Sequence, residues 1–301
     1  MTDSRTLEIR LEAPLLRSAR AGEHNFINLV IKVAENARFR VESRDISEQP
    51  DAGERFTLTH MAPPPDRRGL VFRRVYQYPF WQIEATAERW NWDVAQAAFD
   101  PSIHAPDAVR FHRFWGRRQF GKGPQQARGT GYVYVPLQGR LTRRRSFQAC
   151  SPLDMIGHCL RYDTQRNVVA TLHPKEEYTK DELSALQSME RAHPRLTVAR
   201  GEMETHLRDC DYVVTQNSSA AFFGYFFRKP ALLFARIDFH HIAIRAEMDR
   251  LEECFAQVAT HRPDFVKYVW WFWQEQSINA GRDDAAERIA ARFRRFGWPM
   301  Q

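Results

Sequence analysis

The sequence predicts an α/β protein of two lobes, each with a parallel sheet covered by helices. Three observations predict it. From residue 132 onward, short apolar runs alternate with amphipathic runs, the pattern of parallel strands and their crossover helices. The first 125 residues carry strand and helix signals of their own. A length of 301 residues is comfortable for two domains. We expect 1–125 to form a first α/β domain. Residues 126–260 should form a second, ligand-binding domain, and 261–301 should be helices packing back on the first.

Taken in order, "EHNFINLVIKVAENA" (23–37) places Phe26, Leu29, Val30, Val33 and Ala34 at helical spacing. "RFRV" (38–41), "RFTLTH" (55–60) and "LVFRRVY" (70–76) read as strands, with a proline turn, "MAPPPDRRG", between the last two. "WQIEATAERWNWDVAQAAF" (81–99) reads as a long amphipathic helix, and "GRRQFGKGPQQARGTG" (116–131) as a linker or mobile loop. "GKGPQQARG" lacks the GxxxxGK-Ser/Thr pattern of a phosphate loop. The second half follows as strand 132–137, helix 152–162, strand 167–172, helix 179–192, strand 195–199, helix 202–210, strand 211–215, helix 219–227 and strand 230–234. "YVWWFWQEQSI" and "DDAAERIAARFRRF" close the chain as helices.

Composition narrows the partners. Hydrophobic residues at 43% and charged residues at 27% suit a soluble globular protein. A net charge of +7 favours anionic partners without choosing among them. The first twenty residues show no signal-peptide core, and no run reaches the ~18 apolar residues of a membrane span. Four scattered cysteines without CxxC spacing argue against a zinc site or disulfide framework and suggest a reducing, cytoplasmic setting.

In an open parallel sheet, ligands bind beyond the carboxyl ends of the strands. The polar residues there are Gln138, then His173-Pro174-Lys175, then Gln216-Asn217-Ser218-Ser219, then Arg236, Asp238, His240 and His241. Asn217, Ser218 or Ser219 can cap the helix that follows, and the same hydroxyls and backbone N–H groups can hold a phosphate. Pro174 restricts the His173 backbone to extended geometry, presenting an imidazole donor at the same edge.

The order "VPLQ", "LHP", "DYVVTQNSSAAFFGYFFRKPALLF" over about 132–240 resembles capsule-polysaccharide-synthesis glycosyltransferases, the group that includes bacterial Kdo transferases. The resemblance implies a GT-B fold, two Rossmann-like domains facing a cleft. By position it implies that His173, Ser218 and Ser219 bind the nucleotide and phosphate of an activated sugar, and Gln138 matches another recurrent position; Pro174, Lys175 and Asn217 beside them are expected to line the same nucleotide and phosphate site. The co-substrate would be a nucleotide sugar, CMP-linked such as CMP-Kdo, with no other cofactor and no metal, since no DxD motif is present. The acceptor would be an acidic surface polysaccharide or glycolipid, with peripheral contact to the inner membrane. A base taking the acceptor proton commonly comes from the first domain of such enzymes; Glu23, His24 and Glu84 are the candidates, although Glu23 and His24 serve equally as helix-start groups. The basic run "GRLTRRRS" stands where such proteins often carry an acid after PLQ. That leaves open a noncatalytic nucleotide-sugar or polysaccharide-binding relative. A nucleic-acid-binding protein is the third reading, argued against by the dispersed basic residues.

Overall fold

The computed structural model describes residues 5–49 and 55–300; the first four residues of the stretch read for a leader lie outside them. The chain divides into two compact units, Met1–Ala97 with Trp271–Gln301, and Ala98–Trp270.

The first unit centres on β1 (Thr6–Leu11), flanked by β2 (Arg40–Asp45) and β3 (Phe56–His60), both parallel to it. β4 (Leu70–Arg74) continues parallel beyond β3, and β5 (Phe80–Glu84) turns antiparallel. A short strand, Ile278–Asn279, completes the edge. The helices α1 (Ala13–Arg20), α2 (Asn25–Asn36) and α3 (Asp93–Gln96) come from the connections. Period-two alternation gives the sheet two unlike faces. Leu7, Ile9, Leu11, Leu58, Phe72, Trp81 and Ile83 join one apolar core with Phe26, Ile27 and Val30 of α2. The intervening Glu8, Arg10, Thr57, Thr59, Gln82 and Glu84 are buried as well. Glu8 is held by Arg10 and faces Arg44 at 3.8 Å and Arg55 at 3.9 Å, which offsets the cost of burying its charge.

This unit departs from two sequence expectations. β1 was not anticipated, because its charged alternation makes "TLEIRL" look like exposed chain. The long helix expected over 81–99 is instead the strand β5, a single 3-10 turn at Arg89–Asn91 and the four-residue α3. Pairing with β4 and the stacking of Trp81 on Phe26 (4.6 Å, 6° between planes) override the helical spacing. The aromatic run near the C-terminus packs in this unit too: Trp271–Glu275 forms a π-helical turn, and Trp273 stacks on Phe80 at 4.5 Å. The final helix, Ala285–Arg295, buries Ala285, Ile289 and Phe293.

The second unit opens with α4 (Ala108–Phe120), whose last residues enter the segment expected to be a linker, and a 3-10 turn at Gly123–Gln126 follows within it. Phe120 packs against Phe223, Phe226 and Phe227, and Gly131 N–H and Arg128 N–H bond to Asp211 and to the Arg208 carbonyl. The segment is therefore anchored. Then follow β6 (Tyr132–Pro136), α5 (Pro152–Tyr162), β7 (Asn167–Leu172), α6 (Lys180–Ala192), β8 (Leu196–Arg200), α7 (Met203–Asp209), β9 (Tyr212–Thr215), α8 (Ser219–Gly224), β10 (Ala231–Leu233), β11 (Ile244–Arg245), α9 (Leu251–Thr260) and α10 (Phe265–Trp270). Capping boxes set two helix starts, Ser151 with Asp154 for α5 and Thr179 with Glu182 for α6. The six strands run parallel in the order β11-β10-β9-β6-β7-β8. Apolar side chains such as Val133, Val135, Val168, Ala170, Val214 and Leu232 fill its core.

Candidate nucleotide site

The strand order of the second unit locates a site before any side chain is considered. The chain winds from β6 through β7 to β8 on one side, then returns to place β9, β10 and β11 on the other. The winding reverses between β6 and β9, and the crevice at their carboxyl ends is where such sheets take ligands. Backbone pairing between these strands runs through Val133↔Tyr212 and Tyr134↔Val213 and stops there. Beyond it, the Thr215 hydroxyl donates to the Pro136 carbonyl at 3.1 Å. A side chain thus closes the pair where proline offers no N–H.

Two amide side chains lead out of this crevice. Gln138 follows β6 and Gln216 follows β9, and the Oε1 of each is buried without a hydrogen-bond partner among the described residues. Gln216 is 2% exposed, and its Nε2 donates to the Cys150 carbonyl at 3.0 Å, which fixes which end of the amide is left open. An unmatched buried acceptor costs about 1–3 kcal/mol, so each oxygen calls for a ligand's O–H or N–H. Asn217, also buried, comes next. Ser218 caps α8, its hydroxyl accepting from Ala220 N–H at 3.3 Å, and its side chain is partly exposed; Ser219 is the first residue of that helix. The cap reading of this run therefore holds, and the hydroxyl proton of Ser218 stays free to donate outward.

β7 lies beside β6, so His173, Pro174 and Lys175 sit on the same edge. All three are exposed. His173 Nδ1 accepts from Lys175 N–H at 3.2 Å, which places the neutral imidazole's proton on Nε2. The two loops are neighbours: a Cβ on Gly139 would lie 2.6 Å from Glu176 Oε2. The long connection 137–151 also reaches toward β10. Ala149 N–H bonds to the Phe234 carbonyl, and Arg236 N–H to that of Phe147. The connection thus passes from β6 across the end of β9. Arg144 and Arg145 are tied to carbonyls within it, those of Gln148 and Gly139, while Arg143 is exposed. Burial pushes the Cys150 thiol up to about 12, so it stays protonated and is no nucleophile.

The residues expected in the first unit have different surroundings. Glu23 is exposed ahead of α2. His24 caps α2, Nδ1 accepting from Ile27 N–H at 3.2 Å, and its ring meets Trp81 edge-on at 5.3 Å; burial first of all lowers its pKa. Glu84 is buried with Arg292 Nη2 at 2.9 Å, level with Val71 rather than at the carboxyl ends of the parallel strands. Burial, above all, pushes it up to about 7. Sequence reasoning passed over a pair that the structure brings together: His60 ends β3, Glu12 follows β1, and Nδ1 and Oε2 are 2.7 Å apart. Among the described residues no cluster of three His, Cys, Asp or Glu could hold a metal ion, and no helix is long and apolar enough to cross a membrane.

No protein-family model matches the chain, and no curated protein matches its sequence. Solved structures do. The β-Kdo 2,7-transferase KpsC of Thermosulfurimonas dismutans aligns over 88% of this chain and 89% of its own, at 10% identity and a TM-score of 0.50. The fold is GT-B. The wall teichoic acid polymerase TagF (8% identity, 97% and 89% covered, TM-score 0.31) and the S. aureus MnaA–UDP complex (9%, 97% and 96%, 0.35) are also similar. The likeness to KpsC is one of fold, and it agrees with the GT-B fold that the resemblance read in the sequence implied.

Proposed function

We propose that the chain is a glycosyltransferase that moves a sugar from a nucleotide-activated donor to a surface or capsular polysaccharide or glycolipid, with the nucleotide held in the second unit. The observation that carries this is the reversal between β6 and β9, with two unmatched amide acceptors at its mouth. Gln138 and Gln216 Oε1 would take hydrogen bonds from ribose hydroxyls or a base amino group. The Ser218 and Ser219 hydroxyls and the His173 Nε2–H are donors on the same edge, suited to a phosphate that gains charge as the glycosidic bond breaks. Lys175 and Arg143 add positive field. We infer a CMP-linked donor, such as CMP-Kdo, from the likeness of "VPLQ", "LHP" and "QNSS" to Kdo transferases. The acidic polymer as acceptor follows from the chain's +7 charge, as does peripheral contact with an anionic membrane surface.

The basic loop after "VPLQ" supports a second reading, a binding protein that has lost turnover. One experiment separates the two. CMP, UDP and a short RNA are offered in a thermal-shift panel, followed by turnover assays with CMP-sugars. At one hundred times its Kd, CMP should add about 2.7 kcal/mol, or several degrees at about 2–4 °C per kcal/mol. His173→Ala should remove most of that gain with little change in the unliganded melting temperature, and Ser218→Ala should remove it beyond the roughly 1 kcal/mol that loss of the α8 cap costs the unliganded protein. Binding without turnover selects the second reading, and stabilisation by RNA alone refutes both.

A further inference from the structure

The second unit has another opening, at the edge of its sheet opposite the β6–β9 crevice. Its strands run parallel, so the residues that precede them gather beyond the amino ends. Arg128 lies ahead of β6, Arg166 ahead of β7, Asp211 ahead of β9 and Lys229 ahead of β10, and all four line one cleft of about 470 Å³. Arg228 and Arg262 complete its charged lining, and Phe227 gives it an apolar wall. The volume is that of a small-molecule site. Five cations and one carboxylate line it.

Two of the five cations are matched. Arg166 bonds to Asp211 at 2.6 Å and Asp163 at 3.0 Å, and Arg128 to Asp209 at 3.1 Å. The other three have no carboxylate partner among the described residues. Lys229 is 5% exposed, and its Nζ donates to two backbone carbonyls, those of Arg128 and Cys210. The third N–H of that ammonium has no acceptor there. Arg262 donates to the carbonyls of Ala259 and His261. Such bonds satisfy the ends of α7 and α9 but bring no negative charge to a buried ammonium. Burial lowers the Lys229 pKa first of all, Cys210, Asp211 and Asp209 raise it, and Arg262 lowers it; an anion beside it favours the charged form. Arg228 is exposed, and its guanidinium has neither hydrogen bond nor ion pair among the described residues. Its φ of +56° lies in the region that favours glycine, so the fold itself has no evident use for an arginine there.

We propose that this cleft is a binding site for a phosphate group, held by Arg228, Lys229 and Arg262 and carried by a small phosphorylated molecule or a lipid headgroup. Three unmatched cations call for more charge than one carboxylate brings, and the arginine fork fits phosphate oxygens two at a time. The site is distinct from the proposed nucleotide site at the carboxyl ends of the same strands. The five residues of β6 set the two edges roughly 16 Å apart.

Two measurements on the full chain test it. Calorimetry with phosphate and pyrophosphate compares wild type with Arg228→Gly and Arg262→Gln. Arg228→Gly suits the backbone, so the unliganded melting temperature should not fall, while the Kd for pyrophosphate should rise about tenfold or more. Arg262→Gln should weaken binding in the same direction. Both variants should keep the stabilisation by CMP, and His173→Ala should keep pyrophosphate binding. Sedimentation with vesicles of phosphatidic acid in phosphatidylcholine, against phosphatidylcholine alone, separates the sources. Vesicle binding that pyrophosphate competes away and Arg228→Gly loses assigns a headgroup; pyrophosphate binding without vesicle binding assigns a small phosphorylated ligand. If phosphate, pyrophosphate and the vesicles all fail to bind, the proposal is overturned. Binding that both arginine variants leave at wild-type strength, or that His173→Ala removes, also overturns it, since the ion then sits elsewhere. Absence of a CMP shift with pyrophosphate binding still lost in Arg228→Gly counts against the nucleotide reading and for this site.

Discussion

Replacing Glu84 with glutamine should make the first unit gain, relative to wild type, as pH rises. The carboxyl is 3% exposed, and burial lifts it from the ordinary 4.5 to about 7 despite Arg292 at 2.9 Å. In the native state it therefore keeps its proton over a range where the unfolded chain has released it. The native state binds more protons between pH 4.5 and 7, so stability falls with rising pH through that window. At 1.36 kcal/mol per pH unit, wild type should lose roughly 2–3 kcal/mol between pH 5 and pH 8 through this group alone. Glu84→Gln does not titrate and keeps the shape, and Arg292 retains Asp93 at 2.7 Å and the Ile83 carbonyl. Urea unfolding of both proteins at pH 5, 6, 7 and 8 measures the difference. It should move in the variant's favour by that amount, with a midpoint near pH 6. A difference that is constant across pH would show that Glu84 is ionised throughout and refute the argument. The same variant bears on function: a residue confined to the Arg292–Asp93 network leaves turnover unchanged on replacement, whereas a base does not.

Other outcomes follow from the second unit. Thr215→Val removes the only described side-chain bond to the Pro136 carbonyl and leaves that acceptor unmatched; chemical denaturation should show a loss of about 1–3 kcal/mol. Gln216→Met deletes an amide whose Nε2 serves the Cys150 carbonyl and whose oxygen is open, so the thermal shift with CMP should shrink more than the unliganded melting temperature falls. Ser151→Ala breaks the capping box of α5 and should cost about 1 kcal/mol, read from the same denaturation curves.

The second unit was legible because its strands are apolar on both faces and its helices begin at marked residues. "NVVATL" and "YVVT" need no partner information to be read as buried strands, and the helix over 152–162 has the bounds expected for it. The first unit hid its centre. In "TLEIRL", Glu8 and Arg10 are as buried as Leu7 and Ile9, and only the neighbouring arginines explain how. "FWQIE" looked helical because its alternation is short and the chain after it is irregular. The loop positions of Gln138, His173 and Ser218 followed from strand ends, so they could be named. Glu12 and His60 could not, since 48 residues separate them and only the β1–β3 pairing joins them.

That pairing has a consequence for how each unit handles protons. In the second unit the edge groups are hydroxyls, amides and an imidazole whose Nδ1 is occupied by a backbone N–H. Such groups exchange hydrogen bonds with a ligand without taking its proton. In the first unit the imidazole of His60 is turned the other way, its Nδ1 proton held by a carboxylate and Nε2 left basic. The difference arises from the partner each Nδ1 meets: a backbone donor makes Nε2 a donor, and an acceptor makes it a base. Glu12→Gln should therefore lower the His60 pKa, because the charge of Glu12 raises it; an NMR titration of the ring that shows no fall would refute the pairing.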